Sequence, residues 1–309
     1  MRTEPVLDIQ AAITRKQELA RRNWGRWGGD DERGTLNLLG PAEVTAAARL
    51  IRLGEALPLG HELDRTTPTP PRRPAPAHFM HRDGGDYLRA GGLSPRAQFS
   101  DDSMLLALHT ATHVDALAHV WHGEQLYNGF SRETVTSTGA HRCGAETLGP
   151  IVGRGVLLDV ASAHGIDVLP IDHAVSVDDL ERCLALAELQ LRPADVVLIR
   201  TGWWSAYASS ESTFANEPGP DLLTACWLAE QDVAAVGADN FALEVLPSGF
   251  DEFVFPVHEL LLRDCGMPIF EGLELDDLAQ RSIYEFMFVA APLPIVGGTA
   301  SPLNPVALI

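Results

Sequence analysis

Short apolar runs alternate with amphipathic segments along most of the chain. Apolar runs of about four to eight residues bounded by turn residues are typical of buried strands. The alternation predicts a mixed α/β fold, and residues 1–309 are expected to form one domain because no linker separates the two halves. The runs that predict strands are residues 104–108, 155–160, 195–200, 233–238 and 284–291.

Capping signals and apolar spacing mark the predicted helices. Ser176 and Asp179 resemble a capping box at the start of LERCLALAELQ. The other helix candidates are residues 221–231, residues 255–265 and an N-terminal helical segment of about residues 1–52. Residues 64–102 contain TTPTPPRRPAP, which predicts a long irregular loop that is either functional or disordered.

Composition and charge narrow the possible partners. An apolar content of 46% fits a globular chain with a sizeable core. A formal net charge of −19 predicts a surface that repels phosphate backbones, so no nucleic-acid partner is expected. No stretch approaches the roughly 20 apolar residues of a membrane span, and no secretory signal is recognisable. We therefore expect no membrane partner, a cytoplasmic location and buried thiols at the four cysteines.

Chemistry-bearing residues are concentrated in the segment MLLALHTATHVDALAHVWHG. On one continuous helix, His109 and His113 would share a face and Asp115 would point away. A strand at MLLAL, an extended turn and a helix that begins at ALAHV with Asp115 as its N-cap bring the three side chains together. In that arrangement His119 lies one turn further along the same helix.

Two imidazoles and a carboxylate suit Zn²⁺, Mn²⁺ or Fe²⁺ and leave positions open for water and substrate. Such an ion lowers the pKa of bound water to about 7, and His119 would serve as the general base and acid. Histidines scattered without function are the competing interpretation. The spacing of His109, His113 and Asp115 alone leaves the two interpretations about equally supported.

Three further residues have a functional and a structural interpretation. His258 begins an apolar helix and Glu271 follows the strand-like MPIF; a ligand role competes with a surface histidine and a solvated carboxylate. Trp27 lies in a Gly-rich segment. Its functional interpretation is a substrate-binding aromatic wall, supplied across an oligomer interface, and the alternative is ordinary packing.

The histidine-rich segment resembles the signature HxGTHxDxPxH of the cyclase-like metal-dependent hydrolase family, which includes bacterial kynurenine formamidase and isatin hydrolase. All three histidines and the aspartate of the signature match between His109 and His119, while Ala111 replaces the Gly and Leu117 replaces the Pro. The segments RWGGDDERGTLNLLG and VGGTASPLNP resemble the longer branch that includes isatin hydrolase.

The resemblance implies a swivelling β/β/α fold, a homodimer or larger homo-oligomer, and a site for one or two divalent ions, manganese or zinc. It implies metal ligation by His109, His113 and Asp115, with Glu271 completing the site and His258 holding a second ion. It also implies that His119 is the proton shuttle.

The expected function is therefore hydrolysis of a carbon–nitrogen bond in a small-molecule substrate, either a cyclic amide such as isatin or a lactam, or a formamide. Two alternatives stay open. One is a polyketide-type cyclase acting as a lyase, and the other is a non-catalytic protein that binds a metal or a small molecule.

Overall fold

The computed structural model describes residues 9–89, 97–209, 214–250 and 254–309. Within these residues the strands are β1 (Ala56–Pro58), β2 (Ala77–Arg82), β3 (Asp101–Leu105), β4 (His113–Asp115), β5 (Val135–Thr136), β6 (Gly139–Ala140), β7 (Ile151–Asp159), β8 (Ala174–Val175), β9 (Val196–Arg200), β10 (Gly219–Pro220), β11 (Ala235–Ala238), β12 (Ile269–Glu271), β13 (Glu285–Ala290), β14 (Ala300–Pro302) and β15 (Val306–Leu308). The helices are α1 (Ile9–Leu19), α2 (Pro41–Ala48), α3 (Gly84–Arg89), α4 (Val160–Ala163), α5 (Val177–Leu186), α6 (Trp203–Ser209), α7 (Leu222–Glu230), α8 (Pro256–His258) and α9 (Asp276–Gln280). Short 3₁₀ turns lie at Gly34–Leu38, Tyr127–Gly129, Arg132–Thr134 and Ala145–Thr147, and α8 continues as a π-helical turn over Glu259–Asp264.

The centre of the fold is a nine-stranded mixed sheet with the order β1-β15-β13-β7-β9-β11-β12-β4-β14. Strands β7, β9, β11 and β12 run parallel to one another. The strands on either side of this group pair antiparallel. The expected mixed α/β class is therefore confirmed.

Four of the five predicted strands are confirmed as β7, β9, β11 and β13. Strands β7, β9 and β11 are buried because their side chains enter a hydrophobic cluster on each face of the sheet, whereas β13 buries one face only. Along β7, Val156 and Leu158 belong to one cluster and Leu157 to the other. This alternation explains why such strands read as continuous apolar runs.

The predicted helices follow their capping signals. Ser176 accepts a hydrogen bond from the backbone N–H of Asp179 and caps α5, while Asp221 caps α7 through the backbone N–H of Thr224. The helix predicted over residues 255–265 is α8 with its π-helical continuation. The predicted N-terminal helical segment contains α1 and α2, and its residues 1–8 lie outside the described residues.

The prediction of a buried strand at residues 104–108 was wrong. Strand β3 ends at Leu105 and pairs only with β2, in a hairpin outside the central sheet. Both strands of this hairpin are largely exposed, because neither packs against the core. The stretch predicted as irregular, residues 64–102, therefore contains β2 and α3, and residues 90–96 of it lie outside the described residues.

The prediction that Asp115 caps a helix beginning at ALAHV was also wrong. Asp115 ends the buried strand β4, and the residues after it form a turn. The backbone N–H groups of Ala116 and Ala118 donate to the carbonyls of Thr299 and Cys143. Because neighbouring segments take these hydrogen bonds, the turn does not continue as a helix.

Among the described helices, none combines the length and the apolar character that crossing a bilayer requires.

Gly34 and Thr35 of the N-terminal segment pack against Gly266, which follows the helix that carries His258. The backbone N–H of Thr35 donates to the carbonyl of Gly266 at 2.8 Å, and its hydroxyl donates to the carbonyl of Ala234 at 2.7 Å. Gly34 adopts a φ of +59°, and a Cβ atom at this position would lie 1.8 Å from the carbonyl oxygen of Gly266. Only glycine fits this close approach.

We therefore expect Gly34→Ala to lower the free energy of unfolding by more than about 2 kcal/mol, from backbone strain and a clash with fixed backbone atoms. Gly25→Ala is the matched control, because Gly25 has a φ of +73° but open space around its Cβ position. The control should lose only about 1 kcal/mol, the cost of the left-handed conformation. Urea denaturation of the two variants measures the difference, and equal losses would contradict the contact.

Candidate metal centre

Strand β4 places its side chains through its pairing with both neighbours. His113 lies opposite Glu271 on β12 and opposite Pro302 on β14. Because residues directly opposite in an antiparallel pair share one face, His113 and Glu271 point into the same space. Asp115 lies two residues further along β4 and faces the same side. The register therefore assembles three of the predicted ligands on rigid backbone.

The first group of converging atoms contains His109, His113, Asp115 and Glu271. Nδ1 of His109 lies 2.7 Å from Oδ1 of Asp115. Nε2 of His113 lies 3.4 Å from the same oxygen and 3.1 Å from Oε2 of Glu271. One ligand atom each from His109, His113 and Asp115 lies within 4.8 Å of the others, a spacing that could hold a metal ion.

Hydrogen bonds on the outer side of the rings decide which nitrogen faces this group. Nδ1 of His113 donates to the carbonyl of Ala111 at 2.9 Å, so its Nε2 presents a lone pair inward. Nε2 of His109 forms a hydrogen bond of 3.1 Å with the hydroxyl of Thr299, which leaves Nδ1 inward. Metal-ligating histidines are usually oriented in this way by the second nitrogen.

A second group uses the remaining oxygens of the same carboxylates. Nε2 of His258 lies 3.1 Å from Oε1 of Glu271 and 3.7 Å from Oδ2 of Asp115. Nε2 of His119 lies 3.8 Å from Oδ2 of Asp115. Asp115, His119 and His258 also have the spacing of a metal site. Asp115 and Glu271 thus face both groups.

Glu244 orients His258 from behind. Its Oε1 accepts from Nδ1 of His258 at 2.6 Å and from the backbone N–H of the same residue at 3.0 Å. Its Oε2 accepts from the backbone N–H of Val257 at 3.1 Å. The carboxylate therefore binds the start of α8 and holds the imidazole with Nε2 directed to the cluster.

The chemistry of the donor set fits a divalent cation. Nδ1 of His109, Nε2 of His113 and both carboxylate oxygens of Asp115 are buried and make no hydrogen bond within the described residues. Buried polar atoms are rarely left so, and four of them within one cluster indicate missing partners that accept lone pairs. Divalent ions with imidazole and carboxylate ligands would satisfy them.

The pKa shifts report a strongly negative cluster. Burial alone would lower the pKa of His113, but the carboxylates of Asp115 and Glu271 beside its Nε2 outweigh it and raise the pKa to about 10. Burial likewise opposes the rise in the pKa of His258, which Glu244 and Glu271 bring well above its ordinary value. Against its own burial, the pKa of Asp115 is held well below its ordinary value by His119 and His109. The cluster therefore attracts cations.

His119 differs from the other histidines of the cluster. Burial lowers its pKa to about 3, opposed by Asp115 and assisted by the neighbouring His109 and His258. Its side chain is 27% exposed, toward a cavity of about 670 Å³ that it lines together with His258 and Glu271. The imidazole is therefore neutral at neutral pH and positioned between the cluster and any molecule in the cavity.

The cavity is walled mainly by loops. Its other lining residues are Thr69, Pro70, Pro71, Arg72, Arg73, Val120, Phe214, Ala215, Phe241, Ala242, Leu246 and Phe255. Trp27 does not line this cavity in the described chain, and its ring lies under the guanidinium of Arg26. Its proposed role across an oligomer interface stays a prediction.

The sequence predicted the ligand candidates but not the residues that support them. Glu244, Thr299 and Glu217 are each distant in sequence from the histidine-rich segment. Glu217 is fully buried, and its Oε2 accepts from the backbone N–H groups of Phe241 at 2.6 Å and Ala242 at 3.1 Å. The available signal was a glutamate within the apolar segment FALEVL, which locates Glu244 alone.

Comparison with known proteins identifies the family. Residues 57–245 match the family model described as putative cyclase. The isatin hydrolase of Roseibium aggregatum is 24% identical over 217 residues, covering 68% of this chain and 75% of that protein. The kynurenine formamidase of Salinibacter ruber is 29% identical over 206 residues, covering 66% and 77%.

Solved structures share the fold. The crystal structure of a novel cyclase is 38% identical, with a TM-score of 0.86 over 93% of this chain and 99% of that one. An isatin hydrolase bound to the product analogue thioisatinate has a TM-score of 0.63 at 21% identity, over 88% of this chain and 99% of that one. The family resemblance and the fold class expected from the sequence are confirmed.

We expect His113→Ala to lose the metal, because it removes an inward lone pair from the first group and leaves two buried carboxylates poorly compensated. After dialysis against Mn²⁺ or Zn²⁺, elemental analysis should find at least a tenfold lower metal content than in the unaltered protein. His141→Ala is the control, since His141 is exposed and bonds only threonine hydroxyls in the described residues. Full occupancy in a folded His113→Ala protein would refute the assignment.

Glu217 predicts a pH-dependent stability. Burial raises its pKa from 4.5 to about 8. Between these values the unfolded chain has released a proton that the folded chain keeps, so stability falls as pH rises through this window and levels off above it. Glutamine cannot ionise, so the Glu217→Gln variant should not lose stability in this window. We expect its free energy of unfolding, relative to that of the unaltered protein, to rise by more than about 1 kcal/mol between about pH 5 and pH 8. Urea denaturation in metal-free buffer measures this, and a constant difference would contradict the raised pKa.

Proposed function

The chain belongs to the putative cyclase family, and from this premise we propose that it is a metal-dependent hydrolase of a carbon–nitrogen bond in a small amide, a cyclic amide or a formamide. The observation that carries the proposal is the convergence of His109, His113, Asp115 and Glu271 beside a cavity that Glu271 and a neutral His119 line. This arrangement combines ligands for an ion with a group that can accept a proton.

The ligand residues have separate tasks. His109, His113 and Asp115 would hold the first ion, and Glu271 completes its surroundings. His258, held by Glu244, would hold a second ion together with the other oxygens of Asp115 and Glu271. A divalent ion, Mn²⁺ or Zn²⁺, supplies polarisation of the substrate carbonyl and a lowered pKa for coordinated water.

His119 would move the proton. Its Nε2 faces the cluster at 3.8 Å from Asp115, and with its lowered pKa the imidazole is unprotonated at neutral pH. Hydrolysis of an amide requires a proton taken from water and a proton returned to the leaving nitrogen. A single imidazole that lines the cavity can do both in turn.

The relatives support the choice of bond. One is named isatin hydrolase and another kynurenine formamidase. Isatin is a cyclic amide and a formamidase cleaves an acyclic one, so both names describe attack of water on an amide carbonyl. The cavity of about 670 Å³ is large enough for a small planar amide such as isatin.

A cyclase reaction is the second candidate, because the family model and the structure at 38% identity both carry that name. The same metal cluster would polarise a carbonyl of a polyketide-like substrate. Hydrolysis adds the mass of water to the substrate, whereas dehydrative cyclisation removes it. Mass spectrometry of the product therefore separates the two reactions.

The first experiment is turnover of isatin, N-formylkynurenine, a γ-lactam and an aryl ester by protein stripped with chelator and reloaded with Mn²⁺ or Zn²⁺. Amide hydrolysis that disappears on stripping and returns with one metal supports the proposal and identifies the ion. Turnover that survives complete stripping would refute metal dependence. Tight binding of the panel without turnover, in metal-loaded protein, would favour a binding protein instead.

We expect His119→Ala to retain the ion held by His109, His113 and Asp115 but to lower kcat by about a hundredfold or more, the usual contribution of a general acid–base. His122→Ala is the matched control, because His122 lies on the same segment but is exposed and outside the cluster. Steady-state kinetics with elemental analysis of each variant gives both readouts. An unchanged kcat in His119→Ala would remove this residue from the mechanism.

A further inference from the structure

We propose that Arg73 forms an anion-binding subsite beside the metal cluster, and that the preferred substrate carries a carboxylate on an apolar, planar body. The inference rests on the proposed function for the reaction and adds the chemical class of the substrate. It is carried by the position of Arg73, its unused hydrogen-bond donors and the walls that surround it.

The backbone around Arg73 is fixed by a proline-rich turn. The backbone N–H of Arg73 donates to the carbonyl of Pro70 at 2.8 Å, which closes a turn over Pro71 and Arg72. Proline in this position presets the backbone of the turn. Upstream, the hydroxyl of Thr67 accepts from the backbone N–H of Asp64 at 2.8 Å. The loop therefore presents Arg73 to the cavity from an ordered base.

The guanidinium of Arg73 is held at two points. Nη1 donates to the carbonyl of His109 at 2.5 Å, and the guanidinium lies over the ring of Phe241, with Cζ 5.2 Å from its centroid. A guanidinium has five N–H donors in a planar fork. The hydrogen bond described here uses one of them, and the side chain lines the cavity with the others available to a ligand.

The position of the guanidinium links it to the reacting groups. His109, whose carbonyl accepts from Arg73, is the first ligand of the metal cluster. Arg73 also lines the same cavity as His119 and Glu271 of the cluster. An anionic group bound by Arg73 would therefore sit next to the carbonyl to be hydrolysed.

The charge distribution makes this subsite selective. The formal net charge of −19 repels anions at long range. Among the described residues that line the cavity, the carboxylate is Glu271, which belongs to the histidine cluster, and the arginines are Arg72 and Arg73, which come from one turn. A paired fork of N–H donors is the group best suited to a carboxylate. These two arginines therefore give this part of the cavity wall a positive charge on an otherwise acidic protein, which suits an anionic ligand.

The remaining walls suit an apolar body. Phe214, Phe241, Leu246 and Phe255 line the same cavity, and the rings of Phe214 and Phe241 pack edge to face with centroids 4.7 Å apart. Aromatic walls favour a flat apolar group. The guanidinium of Arg73, which lies over the ring of Phe241, would bind a charged substituent at the edge of that group. The cavity therefore distinguishes an aromatic carboxylate from its uncharged counterpart.

The test is isothermal titration of benzoate and nitrobenzene into metal-loaded protein, since these probes have the same shape and differ in charge. We expect benzoate to bind at least tenfold more tightly in the unaltered protein. Arg73→Met should remove at least nine-tenths of this preference, and Arg73→Lys should restore part of it. Arg82→Met is the control, because Arg82 also stacks on a phenylalanine but lies outside the cavity lining.

Metal content and circular dichroism of each variant are measured in parallel. A benzoate preference that survives in folded, metal-loaded Arg73→Met would overturn the proposal and place the carboxylate on the ion. Equal binding of the two probes by the unaltered protein would overturn it as well. Turnover of a neutral formanilide is measured separately. Hydrolysis without a preference for the carboxylate would refute the Arg73 subsite but not the proposed hydrolase. A preference for the carboxylate without turnover of any amide would refute the proposed hydrolase but not the subsite.

Discussion

The rest of the site depends on the burial of two carboxylates, Asp115 and Glu271, on neighbouring strands. Both are almost completely excluded from solvent. A buried carboxylate without a cation or a full set of hydrogen bonds costs several kcal/mol, and these two also repel each other. The raised pKa of His113 and the lowered pKa of Asp115 are two expressions of this one constraint. The fold tolerates the pair because cations, as protons or as metal ions, can occupy the space between the rings.

The same constraint explains why His113, Asp115 and Glu271 lie on paired strands, whereas most of the cavity walls lie on loops. Strand β4 is held between β12 and β14, so the distance between His113 and Glu271 is set by strand pairing. Charged groups of like sign need such fixed support, because flexible backbone would move them apart. The walls carry no comparable penalty, and the turn that ends at Arg73 meets the cluster through its hydrogen bond to the carbonyl of His109.

Whether the sequence predicted a feature depends on how far apart in sequence the interacting residues lie. Strands β7, β9 and β11 and the cap of α5 were predictable because apolar runs and capping residues act locally. Strand β4 was not, because three residues carry too little periodicity and its partners are distant in sequence. For Glu271 and His258 the local sequence left a ligand role and a surface role open and the family resemblance favoured the ligand role, since spacing cannot show that β12 lies beside β4. Supporting residues such as Glu244 have no sequence signal beyond an acidic residue in an apolar context.

The residue that replaces the glycine of the family signature shows how tightly the site is specified. Ala111 adopts a φ of +50°, in the left-handed region that costs a non-glycine residue on the order of 1 kcal/mol. Its carbonyl accepts the Nδ1 proton of His113, and a Cβ atom at Gly272 would lie 2.5 Å from that carbonyl oxygen. The strained peptide is therefore enclosed between the ligand that it orients and a glycine that must be small. Strain of this kind persists only where surrounding contacts over-determine the conformation. Here those contacts are the strand pairs that hold Glu271 against His113, so the orientation of the ligand and the burial of the carboxylate are maintained by the same backbone.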